Sequence, residues 1–165
     1  MKNLKQYIKE KLIINKNFRE GKIVVKSFNE LRKIIEDRYY KLGPGTEDNP
    51  IDFNDIDVSN LDSFCNDEYE GIFEKTKFEY IDISDWDVSN ITNMCSMFYR
   101  CEKLMTIGDI SDWDVSSVIN MNNMFRGCKY CVCDMSDWDV ANVECHYNMF
   151  EGCLIGEEYM PNFKD

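Results

Sequence analysis

From residue 81 onward the apolar positions change period twice within each stretch of 25 to 27 residues. Ile81 and Ile83 alternate with polar neighbours, and Trp86 and Val88 alternate in the opposite parity. Ile91, Met94, Phe98 and Cys101 then follow at i, i+3, i+7 and i+10, with Met97 beside them. The alternating part predicts short extended pieces with a bend at Ser84-Asp85. The stripe predicts a short amphipathic helix, with Ser89 where an N-cap belongs.

The same pattern returns along the chain. Asp82-Ile83-Ser84-Asp85-Trp86-Asp87-Val88-Ser89-Asn90 reappears from Asp109 to Ser117 and from Asp134 to Asn142. Each copy is followed by a second block: Met94, Met97-Phe98 and Cys101; Met121, Met124-Phe125 and Cys128; Met149-Phe150 and Cys153. Trp86 and Trp113 are 27 residues apart, Trp113 and Trp138 are 25 apart, and the extra two residues fall between Cys101 and Asp109. A worn copy precedes these at Asp52–Leu61, with Ile56 in the Trp position. Five residues inserted after Phe64 bring Ile72-Phe73 to the Met-Phe position and Thr76 to the Cys position. One such unit cannot bury its apolar face alone, so the units must stack, like residue over like residue.

Before the repeats the pattern differs. Leu4, Tyr7, Ile8 and Leu12 form a helical stripe, and Ile23-Val24-Val25 reads as a short strand. Ser27-Phe28-Asn29-Glu30 is a capping box that opens a helix with Leu31, Ile34, Ile35, Tyr39 and Leu42 on its buried face, ended by Gly43-Pro44. This segment is placed to cover the first repeat. Leu154, Ile155, Tyr159, Met160 and Phe163 are placed to cover the last.

The motif D-I-S-x-W-D-V-S-x-V-x-x-M-x-x-M-F-x-x-C resembles the BspA-like leucine-rich repeat family, a surface-protein repeat of gut bacteria, mycoplasmas and gut phages, over residues 51–153. Lys22 to Gly43 resembles the N-terminal capping region of short members. The resemblance implies a non-enzymatic interaction module; larger secreted members are associated with adhesion to host proteins and to other bacteria. The expected fold is therefore α/β, a leucine-rich-repeat-like solenoid of about four coils with an N-terminal helix–strand–helix cap. The expected organisation is a capping region at 1–45, a repeat solenoid at 46–153 and a C-terminal cap or tail at 154–165.

Charge sharpens that division. The chain carries 19 Lys+Arg against 31 Asp+Glu, a net charge of -12. Residues 1–45 hold 12 basic and 5 acidic side chains, +7, whereas the remainder holds 7 against 26, -19. An acidic solenoid repels phosphates, so direct nucleic-acid binding through it is not expected. Opposed charges on cap and repeats permit head-to-tail contacts between copies. No apolar run approaches the roughly 20 residues of a membrane helix, and the charged N-terminus shows no signal-peptide core. The expected location is the cytoplasm, or the host cytoplasm if the gene is carried by a phage, with the eight cysteines as free thiols.

The residues offered as a partner-binding strip are Asp82, Asp85, Asp87, Asp109, Asp112, Asp114, Asp134, Asp137 and Asp139. Stacked copies set like carboxylates roughly 5 Å apart, so the rows need compensation from backbone N–H groups, counter-ions or a basic partner. In the plainer reading one or two Asp per copy cap turns and the rest face water. Calcium lacks the Gly-rich turns it takes in nonapeptide repeats.

Cys128, Cys131 and Cys133, with Cys145 or His146, have zinc-like spacing. Yet Cys128 sits in the repeated Cys position and His146 in the repeated Met position, which favours structural thiols and a partly buried cap residue. Trp86, Trp113 and Trp138 read as a buried spine rather than a sugar platform, and the lysines of the first stripe as a solvated face. With one His and no Gly-rich phosphate loop, neither catalysis nor a metal or cofactor is expected. The function read from these features is a non-catalytic module presenting an acidic repeat surface to a basic protein partner, without membrane contact. The alternatives are a phage-encoded inhibitor that mimics nucleic acid in a host nuclease or defence protein, and a bacterial surface adhesin.

Overall fold

The computed structural model describes residues 18–19 and 21–163. In chain order the elements are β1 (Phe18–Arg19), β2 (Lys22–Val24), α1 (Phe28–Leu42), β3 (Ile51–Asp52), β4 (Ile56–Asp57) and β5 (Ile81–Asp82), with a 3-10 turn at Glu157–Tyr159. β1 pairs antiparallel with β2, and β2 runs parallel to β4 with Ile23 opposite Ile56. β3 runs parallel to β5, with Ile51 opposite Ile81 and Asp52 opposite Asp82. The stripe Leu4, Tyr7, Ile8 and Leu12 lies outside the described residues. Among the described residues no helix is long and apolar enough to cross a membrane.

α1 forms where its caps direct. The N–H of Glu30 donates to Ser27 Oγ (3.3 Å), while the Glu30 carboxylate accepts from the N–H of Lys26 (2.8 Å), one residue earlier than a standard capping box. Gly43, at φ 78°, ends the helix with its N–H on the carbonyl of Tyr39. Leu31, Ile34 and Ile35 are buried as the stripe requires. Leu42, expected on the same face, is 44% exposed, and the charged Arg38 is buried instead.

The α/β leucine-rich-repeat-like solenoid is not what forms. Among the described residues there is one α-helix, in the cap, and two small sheets of very short strands. No copy of the repeat contains a helix, and the chain makes no closed solenoid. In the described part of the cap the expected strand and second helix form as β2 and α1, with β1 paired to β2, and the expected first helix lies outside the described residues.

The reason lies in where the backbone donors go. The N–H groups of Met94, Ser96, Phe98 and Arg100 donate across to the carbonyls of Asn120, Asn122, Met124 and Arg126 in the next copy, at 2.8–2.9 Å. Those of Met97, Tyr99 and Cys101 donate back only three residues. A helix would commit every one of these donors to the residue four before it. Ser96, Arg100, Asn123 and Asn148 also sit at φ 55–57°, and Gly127 and Gly152 at 79°, left-handed positions that interrupt a right-handed helix every fourth residue. The 3-and-4 spacing of the apolar stripe thus belongs to successive tight turns, which return side chains to one side as a helix does.

The stacked turns build the core. Phe73, Phe98, Phe125 and Phe150 lie ring over ring at 5.3, 5.2 and 6.0 Å, with interplanar angles of 13°, 14° and 8°. Phe73 thereby occupies the Phe position of the worn copy. Beside this row the thiols of Cys101, Cys128 and Cys153 donate to the carbonyls of Phe73, Phe98 and Phe125, at 3.0, 2.8 and 2.8 Å. Trp113 stacks on Trp138 (6.1 Å, 9°), whereas Trp86 lies against Phe64 and Phe73. All three indole N–H groups are used, Trp86 on the carbonyl of Phe53, Trp138 on that of Ile110 and Trp113 on that of Ser84. At the far end Ile155 and Phe163 pack against the core, but Leu154 is 70% exposed and does not cover it.

Candidate functional site

Each copy carries three aspartates, and the structure gives them two different jobs. Oδ1 of Asp82, Asp109 and Asp134 accepts from the N–H of the Ser two residues on (3.0–3.1 Å) and from its hydroxyl (2.7 Å). Asp87 and Asp114 do the same with Ser89 and Ser116. Asp139 meets Ala141 and keeps only the N–H bond. A short acceptor that bonds its own backbone two residues ahead closes a turn, which is why Asp-x-Ser recurs at both bends.

These bonds favour the ionised form. The Ser111 and Ser116 hydroxyls, followed by their N–H groups, hold Asp109 and Asp114 below the ordinary carboxylate value. For Asp134 the Ser136 N–H leads and the hydroxyl follows. Asp82 is partly buried, which opposes its charge, yet the Ser84 N–H and hydroxyl and Asn54 still hold it low.

The middle aspartates behave differently. Asp85, Asp112 and Asp137 are exposed, and their carboxylates make no hydrogen bond or ion pair with a described residue. The equivalent residue of the worn copy is Asp55, and its carboxylate is occupied. Arg38 Nη2 lies 2.7 and 2.9 Å from its two oxygens, while Nη1 donates to the carbonyl of Asp52. Arg38 is 2% exposed and its guanidinium also lies over the Phe53 ring at 4.9 Å. The row Asp55, Asp85, Asp112, Asp137 therefore begins with one member neutralised by a guanidinium and continues with three that are open.

Arg38 was not among the residues singled out from the sequence, and Asp55 entered only as the worn copy's counterpart of the middle aspartates. The signal was present: Arg38 falls seven residues after Leu31 and four after Ile34, inside the apolar stripe of α1, and a charge in that position needs a buried partner.

The basic side chains of the repeats do not compensate the aspartate turns. Arg126 pairs with Glu151 (3.0 Å) and Lys103 with Glu79 (3.7 Å). Lys75 and Arg100 lie over Tyr99, and Lys129 over Tyr130. They belong to the turns that follow each Phe.

Of the cysteines weighed for zinc, Cys128 is committed to the carbonyl of Phe98, Cys131 and Cys133 are buried, and Cys145 is exposed. Among the described residues no three His, Cys, Asp or Glu side chains converge to hold a metal ion. His146, expected to be partly buried, is exposed, with its ring stacked on Phe163 at 4.0 Å.

Compared with known proteins, residues 52–159 match the family described as Mycoplasma protein of unknown function, DUF285. No curated protein and no solved structure matches.

Proposed function

The chain belongs to that family, and we propose that it acts as a non-catalytic protein-interaction module whose open aspartates, Asp85, Asp112 and Asp137, take the Arg or Lys side chains of a basic protein partner. The observation that supports this is the Arg38–Asp55 pair, in which the same repeat position already holds a guanidinium supplied by another part of the molecule. Around the open carboxylates, the flanking aspartates are fixed by bonds to the residue two ahead, a serine in every case but Asp139, so the field that a basic partner meets needs no rearrangement. The finer kinship of the repeats with the BspA-like type belongs to the same proposal and rests on the shared motif.

A nucleic-acid mimic uses the same carboxylates against a groove that normally holds phosphates. The two readings differ in the partner and separate in one experiment. Wild type and the triple variant Asp85→Lys, Asp112→Lys, Asp137→Lys serve as baits in a lysate at low and raised salt, with and without competing DNA. The expected result is a protein retained by wild type, released by salt and lost by the folded triple variant. Equal retention by the triple variant overturns the reading. Displacement by DNA turns it into mimicry.

A further inference from the structure

Five of the eight cysteines stand outside the repeated Cys position, and two of these, Cys65 and Cys95, face each other across neighbouring copies. Ser63 and Asn93 form a parallel bridge between the worn copy and the next one. Cys65 and Cys95 follow two residues later on each side, so they share a face and a register. Both are placed by the same local device, the Cys65 N–H donating to Ser63 Oγ and the Cys95 N–H to Asn93 Oδ1, each at 3.0 Å. Both are buried free thiols, and each shifts the acidity of the other. In the next copy the register position is Asn122, whose N–H bonds Asn120 Oδ1 in the same way. The thiol pair is therefore a departure from the repeat, unlike Cys101, Cys128 and Cys153, which the repeat requires for packing.

We propose that Cys65 and Cys95 form a reversible disulfide clip, closed by exchange with a low-molecular-weight disulfide and opened by thiols. Neighbouring strands lie about 4.8 Å apart, within the roughly 4.4–6.8 Å between Cα atoms that a disulfide spans, so closure needs little backbone movement. Cys95 is the attacking sulfur. The neighbouring Cys65 thiol and, against the effect of burial, Ser96 lower its pKa, so its thiolate is favoured; the same pairing and burial push Cys65 up.

In the first step the Cys95 thiolate attacks one sulfur of the small disulfide, forming a mixed disulfide and releasing one small thiol. In the second Cys65 gives up its proton and attacks the Cys95 sulfur, releasing the other. Two protein thiols become one disulfide while one small disulfide becomes two thiols, so electrons and protons balance.

The clip has a structural object. Cys65 starts the five-residue insertion and bridges to Gly71, two residues past its end. Between them Asn66 Oδ1 accepts from the N–H groups of Glu68 and Glu70, holding an acidic loop with Asp67, Glu68 and Glu70 in the open. Gly71 lies so close to the carbonyl of Ser96 that a Cβ there would collide with it. A bond from Cys65 to Cys95 fixes the base of this loop to the second copy.

The test uses the full reduced chain, equilibrated with oxidised glutathione, then alkylated under denaturing conditions and mapped by mass spectrometry. The expected result is one disulfide joining Cys65 to Cys95, a raised melting temperature and full reversal by dithiothreitol. Cys65→Ser is expected to trap glutathione on Cys95, and Cys95→Ser to leave Cys65 unmodified. A first disulfide joining any other pair, eight alkylatable thiols after equilibration, or a Cys65→Ser protein without glutathione on Cys95 each overturns the proposal.

Discussion

α1 and the turn that carries Met94, Phe98 and Cys101 look alike as sequence, both with apolar residues three and four apart, and they fold by opposite rules. α1 closes its hydrogen bonds within itself and needs neighbours only to cover one face. The turn sends every second N–H to the next copy and keeps only three-residue bonds within itself. The difference teaches that apolar spacing reports which side chains face inward, while the fate of the backbone donors decides the element. Ser27, Glu30 and Gly43 mark the ends of α1 with side-chain and left-handed caps. The repeats instead place left-handed residues inside the stripe.

The contrast can be broken most strongly in the Phe row. Phe98→Ala removes the plate between Phe73 and Phe125 and is expected to cost about 3–5 kcal/mol, read as a lower denaturant midpoint of the repeat tryptophans. Arg38→Ala cuts the joint between the two regions. Since Asp55 is one-quarter exposed, its loss is expected to stay near the lower end of the roughly 3–5 kcal/mol of a fully buried pair; a cost indistinguishable from zero would show that α1 is held by packing alone.

Ser27→Ala touches α1 only and is expected to cost about 1 kcal/mol, visible in far-ultraviolet circular dichroism with the tryptophan environment unchanged at low denaturant. The smallest effect is that of acid. Asp82, Asp109, Asp114 and Asp134 lie below the ordinary 3.8 when folded. The stability they contribute is complete above that value and is lost as pH falls from it through the lower folded values. Asp109→Asn is expected to make the acid limb of the stability curve shallower; an unchanged limb would mean that its serine bonds are equally strong in the unfolded chain.

The copies, their register and the buried rows of Trp, Phe and Cys were legible in the sequence because identical residues recur at matched spacing. The placement of the worn copy was legible too, since Phe73 stacks on Phe98 and Thr76 Oγ1 lies 3.5 Å from Cys101 Sγ. The element type was not. A stripe at i, i+3 and i+7 is common to a helix and to a chain of three-residue turns, and nothing in Met94–Cys101 states that Ser96 and Arg100 take positive φ. At the aspartates, Asp-x-Ser announced the turns, while the open row became visible only through Arg38, whose partner Asp55 lies 17 residues away. Cys65 and Cys95 were hidden because a match between repeats draws the eye to what recurs, and they are an exception to it. The shared Ser63-x-Cys65 and Asn93-x-Cys95 spacing was the available sign.

The rungs also have a direction. In the turns of the Phe row each copy gives N–H groups to the one after it, whereas Thr92, Ile119 and Glu144 donate back to the carbonyls of Asp62, Thr92 and Ile119 in the copy before. In the last copy the forward donors, those of His146, Asn148, Phe150 and Gly152, meet no carbonyl among the described residues. The junctions therefore repeat one pattern of donors and acceptors, forward at the Phe row and backward at Thr92, Ile119 and Glu144. A gene that duplicates 25 codons adds a rung that already fits its neighbours, and with it one more open aspartate. The length of the charged row is then set by recombination, without redesign of the core.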